Sequence, residues 1–73
     1  MDTVQQTVDT YADMLFRVAW QHLGQREEAE DVVQEALLRF IQHPSFDDAA
    51  YEKAWLIRVT INLCRDHQKS AWR

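Results

Sequence analysis

Residues 47–69 read DDAAYEKAWLIRVTINLCRDHQK, and their apolar positions recur every three or four residues. Leu56, Val59 and Leu63 make one stripe and Ile57, Ile61 and Cys64 a second, the period of an α-helix buried over a broad arc rather than the alternation of a strand. Asp47 is placed to cap this helix, Phe46 and Tyr51 then fall at the positions of a hydrophobic staple, and the helix is expected over about 48–70. The remaining face is basic. At ~100° per residue from Arg58, the residues Asn62, Arg65, Lys69 and Arg73 all fall within about 60° of it.

Working outward, the chain has a single Gly24 and a single Pro44, and they cut it into three segments. Before Gly24, roughly residues 3–23, Val4, Val8, Tyr11, Leu15, Val18 and His22 trace one helical face. Phe16, Trp20 and Leu23 add a second stripe, the mark of a helix lying between two neighbours. Gly24 suits the left-handed residue just past its end. Between the breakers, about 26–42, Glu27, Glu28, Glu30 and Asp31 complement the positive end of a helix dipole. Ala29, Val32, Val33, Ala36, Leu37, Phe40 and Ile41 form its buried side. Its outer face carries Asp31, Gln34, Glu35 and Leu38, an apolar side chain within a polar ring. A loop from His43 to Phe46 follows, where Pro44 stops the helix.

A chain of 73 residues holds one small core, which excludes a Rossmann sheet, a barrel or a second domain. With 47% hydrophobic and 27% charged residues it is globular material, and the expected fold is all-α, a compact bundle of three main helices. No apolar run approaches the ~20 residues of a membrane span, so no membrane insertion is expected. The lone Cys64 closes no internal disulfide and the first residues lack a signal peptide, so the chain reads as cytoplasmic. The net charge of −4 is unevenly spread. Residues 1–57 hold four basic and eleven acidic side chains, a net −7, whereas residues 58–73 hold four basic and one acidic, a net +3. An acidic body with a basic end suggests two partners, one of them anionic.

The stripe of Arg58, Asn62, Arg65, Lys69 and Arg73 offers cations for phosphates and an amide able to donate to and accept from a base edge. It is equally what a solvated helix end favoured by the dipole contains. Trp72 and Phe46 add aromatic surface suited to stacking, or to the core. An enzyme reading finds no support: the carboxylates crowd a helix start, and no phosphate loop or nucleophile elbow is present. Cys64 and His67 are two possible metal ligands where a closed zinc site needs four, so neither a metal nor another cofactor is expected.

Two blocks, Ala29-Glu30-Asp31-Val32-Val33-Gln34-Glu35 and Ala54-Trp55-Leu56-Ile57-Arg58-Val59-Thr60-Ile61-Asn62-Leu63-Cys64-Arg65-Asp66, with Phe46 in the short loop between them, carry a resemblance. In their order and separation they resemble the second conserved region of bacterial sigma-70-family sigma factors, in particular the extracytoplasmic-function group. The similarity runs from about Tyr11 to Arg73.

The resemblance implies a domain of transcription initiation that docks on RNA polymerase core, at the clamp coiled coil of the largest subunit, through Asp31, Gln34, Glu35 and Leu38, with Ile41 at the margin. It also implies recognition of the melted minus-ten promoter element, as the non-template strand of promoter DNA. Phe46 would help wall a pocket for a flipped base, and Arg58 and Asn62 match the motif's arginine and asparagine. Together with Arg65, Lys69 and Arg73 they make the expected DNA-binding set. Residues 1–73 then form a single region 2 domain, and the helix-turn-helix region 4 domain of such factors is absent from this chain, as in an excised fragment. An anti-sigma factor is a further implied partner. The alternative is a sigma-like interaction module that binds an anti-sigma factor without engaging DNA, to which the acidic balance and the modest basic end lend support. The end of the third helix, with Asp66 among its cations, is less arginine-rich than is usual in the family.

Overall fold

The computed structural model describes residues 3–43 and 45–71, with side chains described for 6–43 and 45–69. Pro44, Trp72, Arg73 and the side chain of Val4 therefore lie outside the described residues. Three helices follow one another: α1 Thr3–Leu23, α2 Arg26–Gln42 and α3 Ala49–Ala71, each packed on the other two. Among the described residues there is no strand, and no helix is long and apolar enough to cross a membrane. The all-α three-helix bundle expected from periodicity is the fold observed.

Each boundary has a local cause. Gly24 adopts φ +69° and its N–H donates to the Trp20 carbonyl at 2.8 Å, closing α1 in the left-handed conformation that glycine enters without a Cβ clash. Glu27 and Glu28 occupy the first turn of α2, where the dipole favours them. The cap of α3 is Asp48 rather than Asp47. Its Oδ1 accepts the Ala50 N–H at 2.8 Å and its carbonyl the Glu52 N–H at 3.0 Å, so the helix starts one residue later than the sequence suggested. Phe46 and Tyr51 still meet, with ring centroids 5.6 Å apart, although they no longer stand at staple positions relative to the cap.

The core is small and dense. Leu15 and Ala19 of α1, Ala29, Val32, Val33 and Ala36 of α2, and Leu56, Leu63 and Cys64 of α3 are buried. Three alanines in this set let the helix backbones approach while Leu15 and Leu56 fill the space between, each contributing roughly 1.5–3 kcal/mol by burial. Thr60 is also fully buried, and its hydroxyl is satisfied by donating to the Leu56 carbonyl one turn earlier at 2.8 Å.

The buried arcs are narrower than the hydropathy pattern. Ile41 is 66% and Trp20 46% exposed, His22 is exposed, and Ile57 and Ile61 are only half-buried. Each helix packs on the other two, and these side chains lie at the edges of the covered arcs. Gly24→Ala should destabilise the fold by about 1–2 kcal/mol through its backbone angle alone, since nothing lies within 4 Å of an added Cβ. Urea unfolding of the two proteins checks this.

Candidate functional site

Two surfaces of the bundle carry the residues singled out by sequence. On α3 the side chains of Arg58, Asn62, Arg65 and Lys69 are all exposed, and no ion pair among the described residues involves them. Arg58, Asn62 and Arg65 rim a shallow groove whose other walls are Ala54, Ile57 and Ile61. The two isoleucines, read as core, thus give an apolar wall to a cationic groove, an arrangement able to take a flat ring edge-on while holding a phosphate alongside. Arg73 lies outside the described residues.

On α2 the side chains of Asp31, Gln34, Glu35 and Leu38 point to solvent, Leu38 being 54% exposed. Arg39 Nε donates to Glu35 Oε2 at 3.1 Å, a surface pair worth little in stability that keeps the Glu35 carboxylate beside Leu38. Ile41 extends the exposed apolar surface one turn further. Leu38 and Ile41 therefore form an unpaired apolar ridge beside carboxylates, the make-up of an anchor residue with a polar rim.

Between these surfaces lies a feature that the sequence reading reached only through Phe46. That ring is half-buried, stacked against His43 at 4.1 Å and 6° and against Phe40 at 6.1 Å and 17°, and tilted on Trp55 at 5.3 Å. Trp55 in turn meets His43 edge-on at 4.7 Å. The cluster ties the loop after α2 to the first turns of α3, and Trp55 stands two turns before Asn62 on nearly the same side of the helix. The structure does not bring Phe46 into the groove of Arg58 and Asn62. Phe46 lines a separate recess with Val8, Phe40, Ile41, His43, Ser45 and Glu52, and Trp55, which packs on the Phe46 ring, lines neither the recess nor the groove. The regular spacing Phe40, His43, Phe46 was the available signal for this cluster, but it crosses a helix end where periodicity loses meaning.

A second link closes the same corner. The Tyr11 hydroxyl donates to Glu52 Oε1 at 2.6 Å, joining the middle of α1 to the first turn of α3, while the Tyr11 ring packs edge-on against Phe40 at 5.8 Å. This bond to a carboxylate, together with burial and the nearby negative charge, holds the phenol protonated and raises its pKa from 10.0 to about 12. At the other end of α3, Gln68 Nε2 donates to the His22 carbonyl at 2.8 Å. Burial alone raises the Cys64 thiol, which sits inside the core. His67 faces Glu28 at 3.9 Å, and no cluster of three or more metal-ligating side chains occurs among the described residues.

The family model for sigma-70 region 2 matches residues 7–73, nearly the whole of the bundle. The chain belongs to the sigma-70 family. As a region 2 domain of the extracytoplasmic-function group it is similar to the sigma factor SigL of Mycobacterium tuberculosis, with 45% identity over 65 residues covering 86% of this chain and 37% of that protein. It is similar also to SigW of Bacillus subtilis, with 36% identity over 66 residues covering 89% of this chain and 35% of that protein. This region 2 domain thus spans about a third of the length of these curated relatives. No solved structure gives a significant match.

Because the folded-state pKa of Tyr11 lies above its unfolded value, the phenol bond contributes its full stability below pH 10 and loses it progressively towards pH 12. Tyr11→Phe should therefore be less stable than the parent at pH 8, and the gap should close between pH 10 and 12. Parallel denaturant unfolding across that range checks the expectation.

Proposed function

We propose that this chain serves in transcription initiation as the part of a sigma factor that docks on RNA polymerase and holds the opened minus-ten strand of a promoter. The observation that carries the reading is the division of one rigid bundle into two exposed surfaces of opposite character. The outer face of α2 presents carboxylates around Leu38, and α3 presents Arg58, Asn62, Arg65 and Lys69 around a groove. Membership of the sigma-70 family supports assigning the first surface to the clamp coiled coil of the largest subunit and the second to the non-template strand.

The physics of the second surface suits unpaired rather than duplex DNA. A base drawn out of the stack exposes both its edge and its π-face, so one amide and nearby aromatic rings can identify it. Opening costs a few kcal/mol, and a surface that binds only the opened strand offsets that cost by population shift, without catalysis. Asn62 is the candidate reader of a base edge, Arg58, Arg65 and Lys69 hold phosphates, and the Phe46–Trp55 cluster supplies the stacking rings. The net −7 of residues 1–57 keeps the polyanion away from the remainder of the bundle, which sets the side from which DNA approaches. An anti-sigma factor would act by covering either surface.

Leu38→Asp should abolish capture by a clamp fragment while the circular dichroism spectrum stays helical, because Leu38 contributes to no core contact. Retention of full binding would remove the assignment of α2. On single-stranded minus-ten DNA measured with polymerase present, Asn62→Ala should cost about 1–3 kcal/mol on the preferred sequence and little on a scrambled one, whereas Lys69→Ala should weaken both alike and flatten the salt dependence. Absence of any salt-dependent DNA binding would instead leave the chain as a protein-interaction module.

A further inference from the structure

A further groove shares no lining residue with either surface. It runs between α1 and the start of α2 and is lined by Phe16, Arg17, Trp20, Gln21, Arg26 and Glu30, with nothing contributed by α3. Trp20 is the exposed member of an aromatic pair, 46% open, with the Phe16 ring 6.0 Å away and inclined at 31°. Trp20 is not among the side chains packed on the core, and Trp and Arg are the residues that most often dominate protein interfaces.

The charge of the groove sets it apart from its surroundings. Residues 1–57 carry only four cations against eleven carboxylates, yet two of those four, Arg17 and Arg26, line this one groove with a single acidic neighbour. That neighbour is weakly held: Arg26 Nε lies 3.4 Å from Glu30 Oε2, with the two side chains 77% and 51% exposed, so an incoming carboxylate can replace Glu30 at little cost. The side chains that line the groove thus carry a net positive charge on an otherwise negative body. A polyanion would still meet the net −7 of that body, whereas a short segment with a few carboxylates can set them directly on the two guanidinium groups that line the groove.

We infer that the Trp20 groove is a docking site for an acidic amphipathic helix of a partner protein, which lays a bulky apolar residue on the Phe16–Trp20 pair and carboxylates on Arg17 and Arg26. The mode is a helix in a groove: the apolar contact supplies affinity, and the two arginines set orientation and exclude basic helices. The site rests on neither the polymerase nor the DNA assignment. Because it shares no lining residue with Leu38 or with the α3 stripe, a partner held here could stay bound while those surfaces are engaged.

The test uses the full chain, labelled with nitrogen-15, and a displayed library of helical peptides. Leucine is fixed at i, i+3, i+4 and i+7, and the flanking positions are randomised among Glu, Lys and Ser. Selected peptides should be enriched in Glu over Lys, and on titration should shift the Trp20 indole signal and the α1–α2 groove while leaving Arg58, Asn62 and Leu38 unmoved. Trp20→Ala and the double change R17E with R26E should each weaken the best peptide by about tenfold, and the double change should turn selection towards Lys. Since all three side chains are exposed, the variants should keep their helical spectrum. Enrichment of Lys, no enrichment at all, or mapping to the α2 or α3 surface would overturn the proposal. So would a single-stranded oligonucleotide or a rise in protein concentration producing the Trp20 shift by itself.

Discussion

The packing of each helix against the other two is the constraint from which the rest of this domain follows. With so short a chain the core can hold only a few large side chains, and Leu15, Val32 and Leu56 take that space while Ala19, Ala29 and Ala36 let the backbones close around them. A helix with two neighbours has one flank left for solvent. The outer face of α2 and the basic face of α3 are therefore not independent features laid on a scaffold. They are the remainders of a packing solution, and their relative orientation is as rigid as the core between them. Under the role proposed above, that rigidity would fix the angle between the two partners.

The weak point of a three-helix bundle is the loop that joins α2 to α3, and the structure strengthens it with rings rather than with aliphatic packing. Phe40, His43, Phe46, Tyr51 and Trp55 form one connected cluster. The Tyr11–Glu52 bond secures the underlying corner from the α1 side. Aromatic pairs of this geometry contribute about 0.5–1.5 kcal/mol each beyond their burial, and they leave flat faces near the surface. The same side chains thus hold the loop and leave ring surface partly open, so a structural role for Phe46 and the recognition role proposed above could not be separated by reading the sequence.

Much of the architecture was nevertheless legible. The limits of α1 and α2 follow from Gly24, Pro44 and the acidic first turn, and the observed helices end where those signals place them. The start of α3 was misplaced by one residue because Asp47 and Asp48 are adjacent and chemically equivalent, and only the hydrogen bonds from Ala50 and Glu52 to Asp48 distinguish them. Flank residues failed for a deeper reason. Hydropathy reports that Trp20, Ile41, Ile57 and Ile61 are apolar, but whether a neighbouring helix reaches them depends on crossing angles that no local pattern encodes. Thr60 errs in the other direction: a polar residue is buried because its hydroxyl can be satisfied within its own helix. The exposed positions of Arg58, Asn62, Arg65, Lys69, Asp31, Gln34, Glu35 and Leu38 were legible because polar residues on one face of a buried helix have nowhere else to go.

The misread flanks turn out to be where surface chemistry concentrates. Ile57 and Ile61 wall the groove beside Asn62, Ile41 prolongs the ridge of Leu38, and Trp20 opens beside Arg17 and Arg26. In a larger domain, apolar residues at the edges of a helix would be covered by further elements. Among the described residues these edges are left at least partly uncovered. Each of these edges has charged residues beside it: Asp31 and the Glu35–Arg39 pair near Leu38, Arg58 and Arg65 by the isoleucines, and Arg17 and Arg26 with Glu30 by Trp20. Such pairing suppresses nonspecific apolar association, since a partner must match the charge before it can bury the hydrocarbon. Under the proposed roles, the sign of the neighbouring charge, rather than the hydrophobicity of the patch, would discriminate between partners at each edge.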